Sequence, residues 1–389
     1  MSLTRRALLG GRTARKNLTG NVLVCVFQRG AADGLNSVVP WRDADYYALR
    51  PRIAVPPPGD GDGAAIDLDG FFGLHPQLAP LLPLYAEGRL ALLHATGVPH
   101  GSRSHFDAQA LVEAGATDDG GLDAGWLGRH LAATAAEDDS LFRAVAIAGA
   151  VPGSLRGARD PLAIGDLDSF GLGELGGSRY QDTLALLYAD GRPYADPAQA
   201  ALAASDALAA ADPGQYGPEN GADYPAGELG GRLLQAAQLI KAELGIEVIC
   251  ADVGGWDHHE SENSFLPTAL DGLARALLAF DTDLGARMAQ VTVLVITEFG
   301  RRAADNVSAG TDHGTAGCAY LLGGGVAGAQ VAGVWPGLAP AALADGQDLA
   351  ITTDLREVLA QMLARLGNPD PASAFPGFVP DPQAPLLIA

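Results

Sequence analysis

With 389 residues, 48% of them hydrophobic, the chain is long enough for one large core or two modest ones. A formal net charge of −21 without a basic patch argues against a nucleic-acid partner. No apolar run approaches the ~20 residues of a membrane span. Cys25, Cys250 and Cys318 all lie in apolar runs and read as buried free thiols rather than a disulfide framework.

The chain opens with Leu3-Thr-Arg-Arg-Ala-Leu-Leu-Gly-Gly11, which has the look of a twin-arginine export motif. Arg12, Arg15 and Lys16 interrupt the apolar stretch that a working signal needs. Residues 1–19 therefore read as a basic arm or vestigial signal, with a cytoplasmic location favoured and export as the alternative.

Asn21 to Phe27 reads as a buried strand, and Gln28 to Asn36 as its exit loop carrying Asp33. Asp33-Gly34 also suits a plain turn. Pro76 to Gly88 has a helical apolar pattern, weakened by Pro80 and Pro83. Arg89 to Thr96 is a second strand. Ser104, with Asp107 three residues on, opens a helix to about Gly115. A serine there is either an N-cap or a nucleophile, because amides and macrodipole at a helix N-terminus favour an oxyanion.

Trp126 starts another helix, and Phe142 to Ala148 reads as a strand. A loop-rich excursion from about residue 150 to 226 contains helices at Tyr180–Ala189 and Pro197–Ala211, the latter Ala-rich and peripheral. An amphipathic helix from Gly227 to Leu244 leads to a strand ending at Asp252, followed by Asp257-His-His259. A helix from about Pro267 to Met288 precedes the strand Val291–Thr297, after which come Glu298 and Arg301. Gly310-Thr-Asp-His-Gly314 then leads to a strand over Ala316–Leu322. Gly323-Gly-Gly-Val-Ala-Gly328 matches G-x-G-x-x-G formally, but no amphipathic helix follows, so it is discounted as a dinucleotide site. Thr353 to Leu366 closes the chain as a helix. Strands separated by helices imply an α/β fold with a mostly parallel sheet covered on both faces.

Ligands of such sheets bind outside the carboxyl ends of the strands. The polar groups delivered there are Asp33, Ser104, Asp257, His258, His259, Glu298, Asp312 and His313. Mixed carboxylate and imidazole donors suit zinc, manganese or iron rather than calcium. Two ions about 3.5–4 Å apart would need roughly this many ligands. Arg301 or Arg103 could clamp an anionic group bidentately.

Taken as a set, Arg29-Gly-Ala-Ala-Asp-Gly-Leu-Asn36, Arg103-Ser-His-Phe-Asp-Ala-Gln109, Gly125-Trp-Leu-Gly128, Gly255-Trp-Asp-His-His259, Glu298-Phe-Gly-Arg301, Gly310-Thr-Asp-His-Gly314 and Thr353-Asp-Leu-Arg356 resemble the DUF1501 family. That family is related in fold to the alkaline phosphatase/sulfatase superfamily. The resemblance runs nearly the whole length from Asn21. It implies a single domain over residues 20–389 with a three-layer α/β/α sandwich, alkaline-phosphatase-like. It also implies a metal-dependent hydrolase of phosphate or sulfate esters acting on a small anionic ester. In the superfamily's chain order, Asp33 takes the place of the first metal ligand and Ser104 that of the nucleophile. Asp257 and His259 come next, then Glu298, then His313. Two departures stand out. Glu298-Phe299 replaces an Asp-His pair, and Asp257 lies unusually close in sequence to His259. An alternative alignment makes Asp312-His313 that pair. The implied cofactor is one or two divalent ions, zinc or manganese ahead of magnesium or calcium. The alternative function is a catalytically inactive binding or assembly module.

Overall fold

The computed structural model describes residues 19–388, apart from 60, 62, 119, 121–122, 137–139, 168, 170–182, 184–185 and 189–194. The expected basic arm and most of the expected helix at Tyr180–Ala189 lie outside the described residues. No helix of the described residues is long and apolar enough to cross a membrane.

The first strand, β1 (Val22–Gln28), is buried over its whole length. After it, β2 (Val38–Val39), β3 (Ile66–Asp67) and β4 (Gly73–Leu74) form a small antiparallel sheet. The main sheet takes in β1 and the later strands β5 (Leu90–Gly97), β6 (Ala144–Ala146), β7 (Leu162–Ala163), β8 (Val248–Val253), β9 (Val291–Thr297), β10 (Gly317–Gly323), β11 (Gln330–Ala332) and β12 (Thr353–Asp354). Its order is β11-β5-β10-β9-β1-β8-β6-β7, with β12 also pairing β5. The architecture is thus mixed α/β with a mostly parallel central sheet. Every pairing in the main sheet is parallel except those of β10, which runs against both β5 and β9.

The alternation of β1 divides its side chains between two cores. Val24 and Val26 pack with Ile249, Val293 and Val295 against the helices Glu228–Lys241 and Glu262–Leu284. Leu23, Cys25 and Phe27 pack with Val248, Cys250, Leu294 and Ile296 against the helices Trp126–Ala133 and Leu355–Arg365. Strands flanked by strands and covered on both faces must be apolar throughout, which is why β1 and β9 read as unbroken apolar runs.

Two local expectations shift. The segment from Pro76 splits into a 3-10 stretch, Pro76–Leu81, and a short helix, Leu82–Ala86, because each internal proline removes an amide donor. The long helix begins at Glu262, five residues before Pro267, and absorbs that proline in its second turn. No side chain caps it. Instead the amides of Ser261 and Glu262 donate to the carbonyls of Ser308 and Ala309, at 3.0 and 2.8 Å. A tertiary loop thus does the work of an N-cap. Downstream, β10 gives way to turns and then β11 rather than to a helix, in keeping with the discounted glycine pattern.

Because β5, β8, β9 and β1 run one way and β10 the other, the ends of the first four and the start of β10 meet on one edge. The loops there pack backbone to backbone. Gly30 has φ +123°, and a Cβ on it would lie 2.7 Å from the Asp257 nitrogen; one on Gly310 would lie 2.3 Å from the His259 carbonyl carbon. Both positions require glycine.

Candidate metal centre

Four side chains from three loops converge on that edge. Asp257 and His259 follow β8, His313 precedes β10, and His105 opens the helix His105–Ala114 after β5. His259 Nε2 lies 3.0 Å from Asp257 Oδ1 and 2.9 Å from His313 Nε2. His313 Nε2 is 3.3 Å from the same carboxylate oxygen, and His105 Nε2 is 3.3 Å from Asp257 Oδ2. Donor atoms of His105, Asp257 and His313 all fall within 4.8 Å of one another. Four donors held about 2.0–2.1 Å from a tetrahedral zinc would sit about 3.3 Å apart.

The outer partners of the rings decide which nitrogen is free. His313 Nδ1 faces the Arg103 carbonyl at 2.7 Å, an acceptor only, so this nitrogen carries the proton. His105 Nδ1 faces Glu298 Oε1 at 2.8 Å. His259 Nδ1 faces Asp312 Oδ1 at 3.6 Å. With Nδ1 of His313 and His105 donating to those acceptors, both rings turn Nε2 toward Asp257, and His259 Nε2 lies against the same carboxylate. This is the arrangement metal-binding histidines adopt. The Nε2 atoms of His259 and His313, 2.9 Å apart, need either a proton or a cation between them, and His105 Nε2 is buried without a hydrogen bond. These residues therefore fit a single divalent ion. Burial lowers the pKa of His313, favouring the neutral ligand form. Desolvation works to raise that of Asp257, but the hydrogen bond and charge of Arg301 outweigh it and hold it at about 2.

Other expected site residues take different positions. Arg301 is buried and donates to the carbonyls of Ala31 (2.6 Å), Thr311 (3.0 Å), Trp256 (3.2 Å) and Gly30 as well as to Asp257 (2.7 Å). It is a buried strut for the loops, with Nε, Nη1 and Nη2 all engaged by protein acceptors. Arg103 is paired with Asp348 and Asp345. The Asp33 carboxylate is buried, caps the short helix Gly34–Ser37 and pairs with Arg50 at 2.6 Å. Its oxygens are taken by protein donors rather than turned to the cluster. Glu298 Oε1 accepts from the Gly30 amide (2.9 Å), Gln109 (2.8 Å) and His105 Nδ1, and Oε2 from Thr297 (2.9 Å). Glu298 thus hydrogen-bonds the outer nitrogen of His105, and Asp312 lies 3.6 Å from that of His259. Burial, and then the charge of Arg301, lower the pKa of His258, whose Nδ1 is buried without a partner and whose ring stacks beside Phe265. His258 lies beside the four donors rather than among them. Phe299, where the superfamily pattern expects a histidine, stacks on His105 with centroids 5.1 Å apart. It is an apolar wall behind the ligand.

His105 is the residue that reading the sequence missed. Its signal was present in Arg103-Ser-His-Phe, where a histidine takes the first helical position after a strand end. Ser104 is exposed, and although it occupies the N-cap position its hydroxyl makes no capping bond. A cleft of about 700 Å³, lined by Asp257, His258, His259, Phe265, Thr268 and Ala269 among others, opens beside the cluster.

Replacing Glu298 by glutamine keeps the shape but removes the carboxylate behind His105. Metal affinity should fall about 10–100-fold, as for other outer partners of ligand histidines. A competition titration against a chelating dye checks this. Unchanged affinity would remove His105 from the ligand set.

A family model described as "Protein of unknown function (DUF1501)" matches residues 90–376. The matched span carries His105, Asp257, His259, Glu298 and His313, whereas Asp33 lies before it. No curated protein and no solved structure matches the chain. With its matched span covering well over half the sequence, the chain belongs to the DUF1501 family.

Proposed function

We propose that the protein is a metal-dependent hydrolase of phosphate or sulfate esters, with Ser104 as nucleophile, on a single alkaline-phosphatase-like α/β/α domain. The observation that carries this reading is the convergence of three Nε2 atoms and a carboxylate, next in the chain to a serine hydroxyl free of capping duty. Three imidazoles and one carboxylate suit zinc or manganese ahead of magnesium or calcium. Asp33 and Glu298 are saturated by protein donors, which favours one ion over two. The ion would supply positive charge to the ester oxygens and lower the pKa of a nearby hydroxyl. Ser104 Oγ, giving its proton to solvent, would bond to phosphorus or sulfur as the bond to the ester oxygen breaks and that oxygen takes a proton from water; a second water would later cleave the serine ester and restore the hydroxyl. The macrodipole of the helix His105–Ala114 favours the anionic group at its N-terminus. Arg301 keeps Asp257 ionised and the loops in register.

Purified or zinc-reconstituted protein should carry close to one equivalent of metal by elemental analysis, and Asp257→Ala should lose it. Arg301 keeps its four carbonyl acceptors in that variant, so the fold should persist. Wild-type protein should also lose thermal stability on chelation, by about 4 kcal/mol if the ion is held at a thousand times its Kd. No metal in wild type, even after reconstitution, would favour the inactive binding or assembly module instead.

A further inference from the structure

The cleft beside the cluster has two kinds of surface. Asp257 and His259 offer polar atoms, and Phe265, Ala269 and the flat of the His258 ring offer an apolar one. Phe265 is 55% exposed, its ring plane 11° from that of His258 with centroids 6.3 Å apart. Two further large apolar side chains stand in water on the segments that build the site. Phe106, next to His105, is 89% exposed, and Val307, next to the cleft residue Ser308, is 91% exposed. Apolar side chains gathered at the mouth of a polar site mark a place where an apolar group is received.

Charge sets the second condition. Among the described residues lining the cleft there is no lysine or arginine, and exposed Glu260 adds a negative charge. The nearby arginines already face acids: Arg301 with Asp257, Arg103 with Asp348 and Asp345, Arg52 with Asp305 at 3.0 Å, and Arg302 with Asp312 at 3.8 Å. A doubly charged phosphate monoester is ordinarily met by an arginine fork beyond the metal. Here a second negative charge would face Glu260, with no lysine or arginine among the cleft-lining residues to offset it. A single charge is matched by the ion alone.

We infer that the substrate is a monoanionic ester, a phosphodiester or a sulfate monoester, with an aryl or similarly flat apolar group seated against Phe265. This rests on the ester-hydrolase reading above and narrows it. The flat group stacks offset on the Phe265 ring while the charged centre lies toward Asp257 and His259, the cluster residues that line the cleft.

Calorimetric titration of the zinc-reconstituted protein tests it, at a pH well above the second phosphate pKa of about 6. The probes are diphenyl phosphate, dimethyl phosphate, phenyl sulfate and phenyl phosphate. At least one of the two aryl monoanions should bind about tenfold or more tighter than doubly charged phenyl phosphate, and diphenyl phosphate about tenfold tighter than dimethyl phosphate. The tighter of diphenyl phosphate and phenyl sulfate tells phosphodiester from sulfate. Phe265→Ala should erase the preference for aryl over methyl and keep the preference for one charge over two. Tight binding of phenyl phosphate, no aryl preference in wild type, no effect of Phe265→Ala, or no binding of any probe would each overturn the inference. Binding in the expected pattern without turnover of any ester would keep the cleft assignment and remove the hydrolase reading. Turnover that favours phenyl phosphate and ignores Phe265 would do the reverse.

Discussion

Ser104→Ala is expected to lower kcat for an ester substrate by about a thousandfold or more while leaving metal content and Tm unchanged. The position of Ser104 is fixed from both sides in the chain. The carbonyl of Arg103 holds the Nδ1 proton of His313, and His105 is itself in the cluster. The serine backbone is therefore pinned to two ligands, and its hydroxyl stands at the start of the helix His105–Ala114. A serine that merely capped this helix would behave differently. Losing such a cap costs about 1 kcal/mol and leaves catalysis alone. With no capping bond to lose and the side chain exposed, alanine should change stability by less than about 0.5 kcal/mol. The informative pair is kcat beside thermal melting and metal content. Full turnover in the variant would take Ser104 out of the nucleophile's role. Loss of turnover together with loss of metal would make it a positioning residue.

How much of this was legible in the sequence depends on how far apart the deciding partners lie. Apolar runs at Val22–Gln28, Val248–Val253 and Val291–Thr297 marked the strands, and polar residues just past them marked the edge where the site forms. Asp257, His259 and His313 stand out on that pattern, and the structure brings them together. The direction of β10 does not stand out, although the chain from Glu298 to Ala316 contains no helix to serve as the crossover that a parallel strand needs. Glu298 was read as a ligand because a carboxylate at a strand end looks like one. What makes it an outer partner is the Gly30 amide and the Gln109 side chain, 268 and 189 positions away in sequence. Asp33 is a second case. Its partner Arg50 sits in Tyr46-Tyr-Ala-Leu-Arg-Pro-Arg52, a stretch that shows no periodic sign of burial, yet the guanidinium is wholly enclosed. Local pattern reports the face a residue lies on; it does not report which distant group arrives to saturate it.

That enclosed pair gives the largest expected effect on stability. Arg50→Leu should destabilise the protein by about 3–5 kcal/mol at neutral pH, because it leaves a buried carboxylate without its counter-charge. Arg50 donates to Asp33 (2.6 Å), to Asn36 Oδ1 (2.9 Å) and to the carbonyls of Ala303 (2.9 Å) and Arg302 (2.8 Å). The last two belong to the segment leading to Asp312 and His313, so the loss also loosens one side of the cluster of His105, Asp257, His259 and His313. In the wild type, desolvation works to raise the Asp33 pKa, but the charge and hydrogen bond of Arg50 prevail and hold it below the ordinary value. A lowered folded pKa means that this contribution is present above the unfolded value of about 3.9 and is lost as pH falls through the folded one. Without Arg50, burial is opposed mainly by the capping amides of Leu35 and Asn36, and the Asp33 pKa is expected to rise above its unfolded value. The variant therefore gains relative stability as acid protonates Asp33. Nearby Glu262, pushed well up by burial and then by the charge of Asp33, stays protonated over part of the same range and does not supply a substitute charge. The gap between wild type and Arg50→Leu should accordingly be widest near neutrality and shrink as pH falls toward about 4. Denaturant melts at several pH values measure it. A gap that stays constant with pH would mean that lost packing, rather than an unpaired Asp33, sets the penalty. Asp33→Asn supplies the complementary check. The folded variant should retain its metal, and loss of the ion there would return Asp33 to the ligand set.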